Sequence, residues 1–327
     1  MRGNVAEDYT YVVARLRAIE ATLPDSPWFE RLARANEANI LASLREHYRA
    51  FEAVGSLPEF ERALTAERLD ALELVTALIS GERQRLLIRA GYDFDNVRHA
   101  WKAAKLAREA TGLTPFGLVP AAAVAEVFAG NPSRGLPPHL ERLVETLEST
   151  YDAFRSLASS ELAGEAAKWR FLFETAPDHR SIEYLRVKVD VANIKNFVRL
   201  RREPVRGEGS AAAWCPGGEI DPGRFESLAS EPLDEFFAFL STTSYRGLHA
   251  AGLTKDAPLW RVDAAARRAV MELLGESRYR HFDISPVLYH LELRERNEEI
   301  LRRIIAGKVN RLNEDALLER VEALLAA

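Results

Sequence analysis

Apolar residues return at steps of three and four along nearly the whole chain. Tyr184, Val187, Val191, Ile194 and Val198 form one such stripe, and Leu140, Leu143, Leu147, Tyr151 and Phe154 form another. That spacing gathers the apolar side chains on one face of an α-helix, as in an amphipathic helix laid on a core. Sustained alternation of period two, rich in Val, Ile and Thr, is missing, so the pattern predicts an all-α fold. One stretch departs from it. Ala213-Trp214-Cys215 and Glu219-Ile220 flank Pro216-Gly217-Gly218 and admit a short hairpin near 213–220. The connection from Arg202 to Gly223 also carries Gly207, Gly209 and Pro222, a composition that predicts a mobile linker.

The helices are well punctuated. Pro24 and Ser26-Pro27 precede Trp28, Pro137-Pro138 precede Leu140, Ala176-Pro177-Asp178 precedes the Tyr184 helix, and Asn313 stands as a cap before Leu317. A cap contributes about 1 kcal/mol, so these residues place boundaries more than they choose the fold.

Self-similarity carries more information. The helix with Tyr184 continues through Asp190, Asn193 and Ile194. Its pattern of Asp, then Asn three residues on, then an apolar residue returns at Asp93, Asn96 and Val97. A looser copy has Asn297 and Ile300 at the two polar positions, and the segment Tyr11 to Ile19 fits the apolar pattern with Arg15 at the Asn position. Between copies lies a second marker: Ser133-Arg134-Gly135-Leu136, Tyr245-Arg246-Gly247-Leu248 and, more loosely, Tyr48-Arg49-Ala50-Phe51. The order implies three helical units of about 100 residues, 1–114, 115–212 and 213–327, with the termini each supplying part of a unit. Asp93, Asn96, Tyr184, Asp190, Asn193 and Asn297 are the repeat positions, and a buried Asn there is expected to hydrogen-bond a helix end or linker of the adjacent unit.

Composition narrows the class. A chain of 327 residues with 47% hydrophobic and 28% charged residues is an ordinary globular one. The uncharged stretch Leu113 to Ala125 is broken by Pro115 and Pro120 and falls short of the ~20 residues a membrane helix needs, so no direct membrane span is expected. The acidic start and the single Cys215 fit a cytoplasmic protein without a signal peptide or disulfide. A net charge of −5 and a pI near 5.9 argue against nucleic acid as a partner.

Candidate chemistry is sparse. Gly307-Lys308 is followed by Val309 and does not make a phosphate loop. The histidines His47, His99, His139, His179, His249, His281 and His290 lack metal spacing. Tyr92-Asp93-Phe94-Asp95-Asn96 resembles the start of a calcium loop without that loop's glycine or terminal acid. Gly-x-Ser-x-Gly is absent, and Cys215 has no base nearby in sequence. Hence no catalytic, cofactor-binding or metal-binding residue is assigned. Basic residues gather at helix ends, notably Arg199, Arg201 and Arg202, and Arg302 and Arg303. They either complement the negative end of the helix dipole or form a partner surface.

With these residues laid out, the chain resembles the C subunits of the bacterial and archaeal V-type ATPases, the prokaryotic relatives of the eukaryotic d subunit. The likeness rests on Tyr11, Ala14, Arg15, Arg17 and Ala18, on the Asp93 to Trp101 and Tyr184 to Leu200 helices, and on Arg294-Glu295-Arg296 to Gly307-Lys308. It implies three similar helical bundles arranged as a funnel about a pseudo-threefold axis. It also implies a non-catalytic rotor component between the D/F central shaft and the membrane proteolipid ring, on the cytoplasmic face. Ile300 departs from the Asn of the other copies. A generic helical-repeat adaptor, or an all-α enzyme of the isoprenoid type, is the competing expectation, and the second lacks paired acidic motifs.

Overall fold

Helices begin where the chain supplies acceptors for their first N–H groups. Asp25 accepts from the Trp28 amide at 2.9 Å, Asn36 from Asn39 at 3.0 Å, Ser156 from Ser159 at 3.2 Å and Asn313 from Asp315 at 2.8 Å. Pro27, Pro138, Pro222 and Pro286 occupy first-turn positions, where a missing N–H costs nothing.

The computed structural model describes residues 9–56, 59–130, 135–202, 214–250, 257–276 and 279–326. Among them the protein is all-α, with no strand. In order the helices are α1 (Thr10–Glu20), α2 (Ser26–Arg34), α3 (Glu37–His47), a 3-10 turn (Arg49–Ala53), α4 (Phe60–Leu78), α5 (Glu82–Lys105), α6 (Ala121–Phe128), α7 (Pro138–Phe154), α8 (Leu157–Thr175), α9 (His179–Arg202), α10 (Pro222–Leu228), α11 (Leu233–Leu240), α12 (Arg246–Ala250), α13 (Leu259–Gly275), α14 (Ser285–Val309) and α15 (Glu314–Leu325).

These elements fall into two compact units. The first combines residues 1–78 with 232–327, so both ends of the chain share one core. Trp28, Phe29, Ile40, Leu44 and Phe51 pack there with Ile300, Ile304, Leu317, Val321 and Leu324. Gly307 lets α14 and α15 close together, since a Cβ at that position would stand 2.7 Å from Leu317 Cδ1. The second unit is residues 79–231. In it α5, α6 and α7 enclose Phe94, Val97, Trp101, Val124, Leu140, Leu143 and Leu147. Gly164 brings α8 onto the same layer, because a Cβ there would meet Leu147 at 2.9 Å and Arg98 at 3.1 Å.

The hairpin near 213–220 does not form. Trp214 and residues 216–220 are bends, and Ala213 lies outside the described residues. The Cys215, Glu219 and Ile220 amides are taken by side chains of α9, which removes donors that a strand ladder needs. Of the expected linker, residues 203–213 lie outside the described residues, as do Ser133 and Arg134 of the second sequence marker, whereas Cys215, Glu219 and Ile220 are bonded to α9.

Candidate functional site

The most ordered polar arrangement occurs twice, on the two 24-residue helices α5 and α9. On α5, Asp93 accepts from the amides of Leu118 (3.0 Å, Oδ2) and Val119 (2.9 Å, Oδ1). One helical turn on, Asn96 closes a two-way clasp with Thr114: its Nδ2 donates to the Thr114 carbonyl and its Oδ1 accepts from the Thr114 amide, both at 2.8 Å. The connection leaving α5 is thereby folded back onto the helix it came from. Arg89, one turn before Asp93, forks onto the carbonyls of Phe116 and Gly117 at 2.8 Å each. Burial pushes the Asp93 carboxyl above the usual carboxylate range, against the pull of the Val119 and Leu118 amides and of Arg89.

The α9 arrangement repeats this register. Asn193 donates to the Cys215 carbonyl at 2.8 Å and accepts from its amide at 2.9 Å. Asp190 accepts from the Glu219 amide at 2.7 Å, while the Ile220 amide is shared between both of its oxygens at 3.3 Å. The carboxylate contacts lie four and five residues beyond the Asn contact in each case. Gly117 and Gly218 stand at the same register position, three residues after Thr114 and Cys215. A Cβ would fall 2.0 Å from Asp93 Oδ1 at the first and 1.9 Å from Asp190 Oδ1 at the second. Each carboxylate thus requires a residue without a side chain opposite it. The partner of each Asn is the connection leaving its own helix. Tyr184, on α9 but outside the clasp, is half-buried, with Lys188 Nζ 5.7 Å from the centre of its ring.

The third copy is built differently. Asn297 stands twelve positions before the end of α14, as Asp93 and Asp190 do in α5 and α9, but the connection that follows runs only from Asn310 to Asn313. Asn297 is buried, and its Oδ1 accepts a 3.5 Å contact from Arg296. Ile300 is core. Charges lace α14 to its neighbours instead: Arg267 reaches Glu292 (2.7 Å), Glu299 (3.2 Å) and Glu295 (3.4 Å), and Arg294 reaches Glu67 (3.3 Å). Although burial alone would lower it, the Arg267 guanidinium is held above its ordinary pKa by Glu295, Glu292 and Glu299, so it stays charged. Burial raises the Glu298 carboxyl to about 7, partly opposed by Arg68 and Arg302.

The arginines singled out in the sequence have varied surroundings. Arg199 is exposed on α9. Arg201 donates to the carbonyls of Ala229 (2.6 Å) and Glu231 (2.7 Å), just beyond the end of α10, where a cation complements the helix dipole. Arg202, half-buried, ends α9. Arg302 pairs with Glu61 at 3.1 Å, and Arg303 with Glu299 at 2.6 Å. Both, with Arg320, Asn310 and Gly307, line an open groove of about 320 Å³ between α14 and α15.

The sequence reading missed the receiving half of the clasp. Its signal is Thr114-Pro115-Phe116-Gly117-Leu118-Val119 beside Cys215-Pro216-Gly217-Gly218-Glu219-Ile220, with Pro, Gly and a β-branched residue at matching places. Glu67 was also missed, since it belongs to no local pattern, and Tyr48 stood out only as the start of the Tyr48-Arg49-Ala50-Phe51 marker.

This polar machinery holds backbone rather than reagents. Among the described residues no group of three or more His, Cys, Asp or Glu side chains is placed to hold a metal, and no helix is long and apolar enough to cross a membrane. Burial pushes the Cys215 thiol up to about 11, so it stays protonated and unreactive near neutral pH. A family model described as ATP synthase (C/AC39) subunit matches residues 12–320. No curated protein matches the chain.

Proposed function

Since the chain belongs to the ATP synthase (C/AC39) family, we propose that it is a non-catalytic central-stalk component that couples the D/F shaft to the membrane proteolipid ring and passes torque between them. The observation that carries this is the extent of the family match, residues 12–320. ATP hydrolysis or synthesis then takes place in other subunits, and this one sits on the cytoplasmic face as a socket of three related helical units, 1–114, 115–212 and 213–327, closed about a pseudo-threefold axis. Its task is mechanical. The doubled clasp suits such a task, because a connection bound at four or more backbone groups to a 24-residue helix resists shear, and packed interiors transmit strain.

Arg199, Arg201, Arg202, Arg302 and Arg303 are the proposed partner contacts. The groove with Arg302, Arg303 and Arg320 has a surplus of cations over Glu299, which favours an acidic partner surface.

Affinity-tagging the chain in its own cells tests the coupling role. The D/F shaft and the proteolipid ring are expected to co-purify from mild detergent, and their absence from a preparation that retains the folded chain would remove the reading. For the contacts, Arg199→Glu with Arg201→Glu and Arg202→Glu is expected to weaken assembly. Arg199→Glu alone leaves the Arg201 bonds intact and separates lost contact from lost stability. Assembly that is unchanged in the triple variant rejects this surface.

A further inference from the structure

A small enclosed cavity in the first unit is lined by Leu23, Tyr48, Leu64, Glu67, Arg294, Asn297 and Glu298. It offers about 10 Å³, room for a single water-sized sphere. Three of these lining residues carry a polar atom that has no hydrogen-bond partner among the described residues: Tyr48 Oη, Asn297 Nδ2 and Glu298 Oε2. All three residues are buried, at 5%, 3% and 5% exposure. Glu298 Oε2 lies 3.7 Å from Arg68 and 3.8 Å from Arg302, close enough for attraction but beyond hydrogen-bond reach. Buried donors and acceptors without partners are rare in folded proteins, and three on residues lining one void are rarer still.

The chemistry of the wall identifies the occupant. Tyr48 and Asn297 supply donors, whereas Glu298 and Glu67 supply carboxylate acceptors. Glu67 already accepts from the Ala50 amide (2.8 Å) and from Arg294 (3.3 Å), and carboxylate oxygens retain further lone pairs. A cation would meet the Asn297 amide and the Arg294 guanidinium. An anion would meet two carboxylates. A molecule that accepts twice and donates twice matches the set, and the volume admits nothing larger than water.

We propose that this cavity is a built site for one internal water, which accepts from Tyr48 and Asn297, donates to Glu298 and Glu67, and so ties α14 to α4 and the chain entering the 3-10 turn. The water stands in for the loop backbone that satisfies Asp93 on α5 and Asp190 on α9, at the equivalent station of the one long helix whose connection is too short to fold back. The raised pKa of Glu298 accords with a carboxyl that no protein N–H or O–H satisfies on that oxygen.

A crystal structure of the intact chain, at a resolution that shows ordered solvent, decides the occupant. A peak within hydrogen-bond distance of Tyr48 Oη, Asn297 Nδ2 and Glu298 Oε2 is expected. Tyr48→Phe supplies a second readout, because it deletes one hydroxyl and keeps the ring. If the hydroxyl holds water, the variant melts about 2–4 °C lower, and its effect combined with Asn297→Leu is smaller than the sum of the two. An empty cavity, an ion in place of water, or a Tyr48→Phe protein that melts no lower than the wild type overturns the assignment.

Discussion

Helices α5 and α9 resemble α14 in length and in the station of one buried polar residue, yet the two kinds of helix satisfy that residue by different means. On α5 and α9 the chain leaves the helix, turns, and delivers three amides and a carbonyl to an Asp and an Asn. On α14 it turns within four residues into α15, so nothing returns to Asn297, and the Asn of the motif has become Ile300 in the core. Length of connection decides the chemistry. The buried Asp on α5 and on α9 is met by loop amides, and at that station the helix without a returning loop carries an amide in place of the carboxylate.

The severest test of this contrast is removal of the carboxylates. Asp190→Ala leaves the Glu219 and Ile220 amides without acceptors in a buried site, and Asp93→Ala does the same to Leu118 and Val119. Hydrogen bonds to a charged group contribute about 1.5–3 kcal/mol each, so either change is expected to cost about 3 kcal/mol or more in urea unfolding. Should Asn297→Ala on α14 prove equally costly, the returning loops would lose their claimed importance.

Next in size comes the close approach of backbone to carboxylate. Gly218→Ala and Gly117→Ala each place a methyl group inside the carboxylate's contact distance. Because that carboxylate is fixed by its amides, relief requires moving the loop, and about 2–3 kcal/mol is expected. Circular-dichroism melts of both variants would check it, and a cost near zero in either would mean that the loop yields freely.

How much of this was legible in the sequence follows from range. The all-α class shows in the period of Tyr184, Val187, Val191, Ile194 and Val198, because amphipathicity is a local property. The polar stations Asp93, Asn96, Asp190 and Asn193 stand out because polar residues interrupt apolar stripes. The receiving loops were misjudged, since Pro216-Gly217-Gly218 has the composition of a turn whether its amides pair with a strand or with a helix side chain. Which acceptor wins depends on Asp190 and Asn193, more than twenty residues earlier. The role of Glu67, and the place of Tyr48 beside it, were invisible for a stronger reason: their neighbours on α14 lie over 200 residues away.

A further effect separates the two sides by pH. Glu298, on α14, has no returning amides, and its carboxyl rises from the ordinary 4.5 to about 7. Arg68, Arg294 and Arg302 face it, together with Glu295, Glu67 and Tyr48. The folded state therefore binds the proton more tightly than the unfolded state. Its stabilising contribution is complete below about pH 4.5, is lost as pH rises through about 7, and is constant above that. Glu298→Gln is expected to flatten this fall by up to about 3 kcal/mol across the window. Unfolding titrations between pH 4 and 8 that leave the slope unchanged in Glu298→Gln would place the effect elsewhere.

The least effect expected distinguishes the two clasps from each other. Arg89 stands four residues before Asp93, and Arg186 four before Asp190, yet only Arg89 forks onto the loop, while Arg186 is exposed. The loops differ at one position in a way that accounts for this. Phe116 packs edge-on to Tyr92 at 5.3 Å, whereas its counterpart Gly217 takes φ +107° where a side chain would strike Phe173 at 2.6 Å. A left-handed residue redirects the carbonyls, so the fork is lost. On α9 the lost grip is offset by Arg201, which holds Ala229 and Glu231 beyond α10, and its counterpart on α5 is Ala104. Arg89→Ala is accordingly expected to cost about 1–2 kcal/mol and Arg186→Ala less than about 0.5 kcal/mol. Equal costs in parallel urea titrations would mean that both arginines grip their loops in solution, and that the glycine at 217 changes the path of the backbone without changing what holds it.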